Sequence, residues 1–537
     1  MEERFMAIEK EVKRRRTFAI ISHPDAGKTT MTEKLLLYGG AIHQAGSVKA
    51  RKASTHATSD WMEIEKQRGI SVTSSVMQFE YNNYCINILD TPGHQDFSED
   101  TYRTLCAADA AVMLIDGAKG VEPQTIKLFK VCRLRHIPIF TFINKMDRAS
   151  KPPLELIDEI EKVLGIKSYV MNWPIGIHGD FQGVYNRLSR QVELYRKGQD
   201  HGAKKAQITV ADLNDEQLVA TIGENYCSEL RQDIELLDEV GEEFEQSRID
   251  QGLLTPLYFG SAITNFGVET FLQSFLELAP SPQPKMSSAG MIEPNSPEFS
   301  AFVFKIQANM NPGHRDRIAF MRICSGQFTP NMEVKLQRNG KILRIVQPQQ
   351  FMAQEHKSVT EAYAGDIIGV FDPGNYRIAD TLTEKNRNFT FGDIPVFPAE
   401  HFARISPKDS MKRKAFVSGM EQLAQEGAIQ IYKEYGIGTE TYICGVVGIL
   451  QLDVLEVRLQ NEYNVAINRQ LLNYHIAGWV DRSQEAVDLD ELNLTSTTMK
   501  VLDQDEQPVL LFESNWAQNW ALEKNPGLKL LSIREKH

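Results

Sequence analysis

The 537-residue sequence predicts a multidomain α/β chain: a mainly parallel, helix-covered sheet carrying an inserted α/β subdomain, then a small β-barrel, then an α+β layer. Three observations predict it. Short apolar runs alternate with helical patterns from Thr17 to about Pro284, the pattern of a parallel sheet covered on both faces. The stretch "APSPQPKMSSAGMIEPNSP" then interrupts that rhythm with five prolines. From Glu298 to about Asn386, alternating strands follow one another across glycine turns with no helical pattern between them, which suits a small barrel.

In chain order, "FAII" is a buried strand that runs into the loop "SHPDAGKTT", and "MTEKLLLY" continues that loop as a helix. "SVMQFEYNNYCINILD" reads as two strands joined at Asn82 and Asn83. "DAAVMLIDG" and "IPIFTFINK" are buried strands separated by helical segments. The polar, acidic segment from about 167 to 252 reads as an insertion, because "TPLYFGSA" resumes the buried-strand pattern directly after it. The expected domains are therefore 1–285, a linker at 286–297, a barrel at 298–390 and an α+β unit at 391–537. Within the last unit, "HFARIS", "SMKRKAFVSGMEQLAQEG", "AIQIY", "TYICGVVG", "ILQLDVLEVRLQNEY" and "NVAIN" follow the order strand, helix, strand, strand, helix, strand of a ferredoxin-like core.

Composition bounds the function. Hydrophobic residues at 42% and charged residues at 24% describe a globular chain, and no run reaches the ~18 apolar residues of a membrane span. The expectation is a cytoplasmic protein with no membrane partner. The six cysteines are scattered without C-x-x-C pairs, so neither a zinc site nor a disulfide framework is signalled. Between Ala211 and Asp250 thirteen acidic residues face two arginines, so this one segment carries nearly all of the net charge of −12. Basic clusters at Lys13–Arg16, at Lys49, Arg51 and Lys52, and at Lys412–Lys414 remain available to RNA, although a solvated face is the commoner role of such runs.

Five short motifs carry chemistry. Ser22, His23, Pro24, Asp25, Ala26, Gly27, Lys28, Thr29 and Thr30 form a loop between a strand and a helix, where successive N–H groups can cradle phosphates. Gly27 permits close backbone approach, Lys28 supplies the charge, and the Thr29 hydroxyl is a ligand for Mg²⁺. The usual first glycine of such a loop is replaced by Ser22. The second motif, Asp90, Thr91, Pro92, Gly93 and His94, follows the strand "CINIL"; Asp90 can hold Mg²⁺ through water and the Gly93 N–H can sense a γ-phosphate. The third, Asn144, Lys145, Met146 and Asp147, ends another strand. A carboxylate there can accept both the N1–H and the N2 amino hydrogens of guanine, which adenine cannot offer, so Asp147 selects GTP over ATP. Asn144 supports the loop and base, and the Lys145 stem covers the ring. The fourth, Gly260, Ser261 and Ala262, places backbone N–H groups toward guanine O6. In the fifth, "EIEKQRGISVTSS", the Ser71 hydroxyl can complete the Mg²⁺ shell while γ-phosphate is present.

Taken in order, these residues resemble the translational GTPases, a family with a P-loop GTPase domain. The resemblance implies that His94 is the catalytic residue that orients the attacking water once the ribosome positions it, with GTP and Mg²⁺ as substrate and cofactor. The family's loop commonly starts with Gly or Ala before H-x-D-x-G-K-T; His23 and Asp25 match and Ser22 is small. Ser71 stands where the family has a switch threonine. The order of domains resembles the elongation factor G-like branch, but elongation factor G has two further domains, and fewer than ~70 residues remain here to build them. Within the branch, "LDTPGHQDFSEDTYRTL", "INKMDR", "GSAITNFGVETFL" and "SNWAQNWALEKNPGLKLLSIRE" resemble its termination factors. That implies a monomeric, ribosome-dependent GTPase that promotes dissociation of codon-reading release factors after peptide release. Gly-Gly-Gln, the tripeptide of peptidyl-tRNA hydrolysis, does not occur in the sequence. A translocation or ribosome-protection GTPase, and a non-hydrolysing guanine-nucleotide sensor, remain the alternatives at this point.

Overall fold

The computed structural model describes residues 2–42, 73–176, 180–195, 208–213, 215–308, 317–346, 348–352, 355–392, 394, 396, 398–436, 441–481 and 488–531. Ser71 and the basic residues Lys49, Arg51 and Lys52 lie outside them.

The first domain opens with α1 (Glu2–Lys13), β1 (Arg15–Ser22), α2 (Lys28–Tyr38), β2 (Ser75–Tyr81) and β3 (Tyr84–Asp90). It continues through α3 (Ser98–Leu105), β4 (Ala110–Asp116), α4 (Pro123–Leu134), β5 (Ile139–Asn144), α5 (Pro153–Leu164) and β6 (Lys167–Val170). A seven-stranded sheet, completed by β11 (Leu254–Phe259), runs in the order β2-β3-β1-β4-β5-β11-β6. Only β2 is antiparallel to its neighbour, the expected hairpin partner of β3, and the turn between them puts Asn82 and Asn83 at positive φ. Side chains alternate along the strands, so Ala19 and Ile21 face one core with Met113 and Ile115, while Phe18 and Ile20 face a second core with Val112 and Leu114. The second core takes Leu35 and Leu36 of α2 together with Phe271 and Phe275 of α9 (Val268–Leu278); the first takes Leu128 of α4 and Ile160 of α5. Because β1, β3, β4, β5 and β11 are parallel, all five end on one edge, on either side of the point where the strand order reverses at β1.

The inserted sheet differs from expectation at its start. Strand β6 pairs in parallel with β11, Lys167 opposite Leu254, so it belongs to the central sheet. The four-stranded antiparallel sheet outside it begins only at β7 (Asn172–Ile175) and adds β8 (Gly183–Asn186), β9 (Gln191–Tyr195) and β10 (Ile208–Asp212). Polar Lys167 and Ser168 hid an edge strand, which can carry polar residues because one side of it is unpaired. Helices α6 (Glu216–Ile222), α7 (Glu224–Val240) and α8 (Gln246–Asp250) carry the acidic run, with Leu230, Ile234 and Leu237 as the buried stripe of α7.

Residues 286–297, expected to be a linker, contain all but the first residue of a two-stranded hairpin, Lys285–Ser287 against Gly290–Ile292. It is tied to the far end of the second domain, where Ser288 N–H donates to the Thr390 carbonyl. That domain is an eight-stranded, barrel-like antiparallel sheet curled around Val303, Met321, Ile323, Leu336 and Ile368. The third domain forms the strand, helix, strand, strand, helix, strand unit of 401–472, with α10 (Arg413–Gln425) and α11 (Leu450–Tyr463) packed on one face. Its sheet extends into the last ~65 residues, whose topology the sequence did not reveal, through Lys433 opposite Leu502.

The first two domains meet across buried polar groups. Arg15 pairs with Asp366 at 2.7 Å, Arg322 pairs with Asp109, and Thr17 Oγ1 donates to the Gly365 carbonyl at 2.7 Å. Arg16 donates to the Leu276 carbonyl. The basic run Lys13–Arg16, open to RNA on the sequence alone, therefore spends Arg15 and Arg16 inside the protein, at 6% and 8% exposure. All six cysteines are free and buried. Among the described residues no helix is long and apolar enough to cross a membrane.

Candidate functional site

The loop after β1 is shaped by two residues at positive φ, Asp25 (66°) and Gly27 (99°). A Cβ on Gly27 would stand 2.3 Å from Asn144 Nδ2, so only glycine fits. Lys28 begins α2, and its ammonium pairs with Asp90 at the end of β3; both are buried. Thr29 and Thr30 follow in the first turn, half-buried. Gly93 lies against this loop: a Cβ on it would meet Pro24 Cα at 3.6 Å and Lys28 Cε at 4.0 Å. The ends of β1 and β3 thus bring Lys28, Asp90 and Gly93 together.

Asn144 joins the remaining loops to it. Its Nδ2 donates to the Ala26 carbonyl at 2.8 Å, and its Oδ1 accepts the N–H groups of Lys145 and Ala262, each at 2.8 Å. Lys145 stands at φ 70° and sends its ammonium to the Asp25 carbonyl and to Asp116. Met146 is buried, and its N–H donates to the Gly260 carbonyl at 3.1 Å. The Asp147 carboxylate is oriented by Ser261 Oγ, which donates to its Oδ1 at 2.7 Å.

Four of the five motifs therefore meet at one edge; of the fifth only Thr73, Ser74 and Ser75 are described, and Ser71 lies outside the described residues. Three positions depart from expectation. The N–H groups of Ser261 and Ala262, read as donors to the base, already have partners in the Phe266 carbonyl and Asn144 Oδ1. Ser261 acts on Asp147 through its hydroxyl instead. The Thr91 hydroxyl likewise faces inward and donates to the Ile20 carbonyl at 2.7 Å, tying β3 to β1.

Among the described residues, Ser22 Oγ, His23 Nδ1 and Asp90 Oδ2 are buried without a hydrogen-bond partner, an unusual cluster at one strand edge. The orphaned Asp90 oxygen, and the hydroxyl of Thr29 next along the chain from its partner Lys28, are of the donor type that suits a hydrated divalent cation. His94, with 31% of its side chain exposed, has Nδ1 3.3 Å from both Asp96 N and Asp96 Oδ1. Its ring centroid is 6.2 Å from that of Phe97.

Sequence reasoning missed Asp116. Burial pushes its carboxyl up, but hydrogen bonds from the Lys145 ammonium and the Ala118 N–H outweigh this and hold it below the usual carboxylate range. The available signal was an aspartate ending the strand beside the one that ends in Asn144. Asp96 was missed as well, since its partner lies in another domain.

A Gly-Lys-Thr phosphate loop, a magnesium-type aspartate and an Asn-Lys-x-Asp base loop on adjacent parallel strands define a guanine-nucleotide-binding domain of the translation-factor class. The model of the Elongation factor Tu GTP binding domain matches residues 13–281, and that of Elongation factor G domain 2 matches 298–385. The model of the Class II release factor RF3, C-terminal domain, matches 391–522. The chain belongs to the peptide chain release factor 3 family. It is 56% identical over 519 residues to peptide chain release factor 3 of Symbiobacterium thermophilum, covering 96% of this chain and 97% of that one. Identity to the protein of that name from Listeria innocua is 54%, over 98% and 99% of the two chains. A crystal structure of a Thermus thermophilus protein superposes with a TM-score of 0.69 at 20% identity, over 91% of this chain and 72% of that chain, a likeness of fold. The chain is thus a translational GTPase of termination.

Proposed function

We propose that this protein is a cytoplasmic, monomeric, ribosome-stimulated GTP hydrolase that promotes dissociation and recycling of codon-reading release factors after peptide release. The observation that carries the reading is the union in one chain of a strand edge that gathers four guanine-nucleotide motifs with the C-terminal domain of class II release factors. The loop Ser22–Thr30 holds the phosphates, with Lys28 reaching the β and γ oxygens. Thr29, Ser71 and, through water, Asp90 would hold Mg²⁺, and the ion would supply positive charge beside the phosphoryl oxygens. His94 orients the attacking water. No covalent intermediate is required, because phosphoryl transfer to water depends on positioning and charge.

The test is a reconstituted termination assay, measuring release-factor recycling with and without GTP, alongside phosphate release with and without ribosomes. Recycling that ignores GTP, or hydrolysis that ignores ribosomes, removes the reading. Base selection has its own expected result. Asp147→Asn exchanges a double acceptor for a group with one acceptor and one donor, which matches the carbonyl at xanthine C2. Preference should move from guanosine to xanthosine nucleotides by about 10- to 100-fold, as competition binding would measure. A variant that still prefers GTP would refute this account of Asp147.

A further inference from the structure

The segment just after His94 meets the third domain at two notches, each opened by a glycine. At Gly448 a Cβ would stand 2.0 Å from Asp96 Cγ, and at Gly427 it would stand 1.8 Å from Arg103 Nη1. Through the second notch Arg103 donates to the Gly427 carbonyl at 2.9 Å. Through the first, Asp96 Oδ2 accepts the N–H of Leu450 at 2.9 Å, at the first residue of α11. That N–H has no acceptor within its own helix, and the helix start favours a carboxylate. Asp96 is 8% exposed, and its other oxygen, Oδ1, is the one that lies 3.3 Å from His94 Nδ1.

His94 Nδ1 thus has two neighbours of opposite demand, both belonging to Asp96. The Asp96 N–H requires Nδ1 as acceptor, which leaves the proton on Nε2. The carboxylate requires Nδ1–H, which leaves Nε2 with a lone pair able to accept a hydrogen bond from water. Where the carboxylate sits decides between them. Gly448 and Leu450 set where it sits.

We propose that Asp96 is a positioning residue through which the third domain sets the orientation and tautomer of His94: Leu450 N–H holds one carboxylate oxygen so that the other faces His94 Nδ1. The inference rests on the proposed role of His94 in ribosome-stimulated hydrolysis. The bland alternative is that Asp96 merely caps α11 and helps the domains dock.

Asp96→Asn separates the two. Its amide oxygen can still accept from Leu450 N–H, and asparagine caps a helix as well as aspartate. Its amino group, however, donates toward Nδ1 and enforces the unproductive tautomer. The expected result is a fall of at least about tenfold in ribosome-stimulated kcat with KM for ribosomes unchanged, since a wrong-tautomer imidazole costs turnover and not binding. Gly448→Ala, which displaces the carboxylate from the third-domain side, should produce a similar fall. The double variant should be no slower than the worse single one, because both break one linkage. Wild type and His94→Ala are run in parallel. If ribosomes do not stimulate wild type, or His94→Ala turns over normally, the functional reading fails and this inference with it. If both behave as proposed while Asp96→Asn keeps its kcat or changes only KM, or the two substitutions add, the inference alone is overturned.

Discussion

Lys28→Ala is expected to abolish tight GTP binding, with affinity falling by about 30-fold to several thousandfold. Truncating one member of a buried, hydrogen-bonded charge pair costs about 2–5 kcal/mol, and each ~1.4 kcal/mol is a factor of ten. Lys28 is 6% exposed and aimed at Asp90 across the phosphate loop, so its charge acts where water screens little. The nearest other lysine of the site cannot replace it, because the Lys145 ammonium is committed to Asp116 and the Asp25 carbonyl. The substitution also leaves Asp90 buried without a cation, a second cost that should appear as a lower melting temperature of the free protein. Titration with a fluorescent GTP analogue gives the affinity. A change of less than threefold would show that the phosphates are held chiefly by the loop backbone.

The second large effect falls on rate. His94→Ala should bind GTP and ribosomes as wild type does, yet hydrolyse GTP on ribosomes about 10²- to 10⁴-fold more slowly, the usual range for a positioned imidazole. Binding is spared because the His94 side chain holds no part of the phosphate loop; its close polar neighbours belong to Asp96. Single-turnover phosphate release on ribosomes separates the two quantities. Unchanged turnover would remove His94 from the reaction and leave water positioning to the backbone of the Asp90–His94 loop.

How much of this could be read in advance depended on the distance over which each residue finds its partner. The loop Ser22–Thr30 announced itself because a strand, a glycine at positive φ, a lysine and a helix lie within nine residues. At the position of its missing first glycine, Ser22 ends β1 with a small, buried side chain, and the close approach falls at Gly27 against Asn144. Asp147 was legible because strand, asparagine and aspartate are contiguous, but its orientation by Ser261 spans 114 residues. Edge strand β6 looked polar for want of a neighbour that arrives only at Leu254. Arg15 and Arg16 looked like surface charge, since their partners Asp366 and Leu276 are hundreds of residues away.

The sequence by itself determined the candidate site, because the proposed phosphate, base and metal recognition each rest on a few residues fixed in place by one strand end. It determined the domain classes too, since the periods of helix and strand are local properties. The tertiary structure alone decided which donors are already engaged, as with Ala262 and Thr91, and which charges are internal, as with Arg15. It also decided that His94 lies one residue pair from the third domain, through Asp96 and Leu450. The physical reason is that buried hydrogen bonds and ion pairs are formed between whichever groups packing brings together, and packing across 354 residues of chain leaves no periodic trace in the sequence.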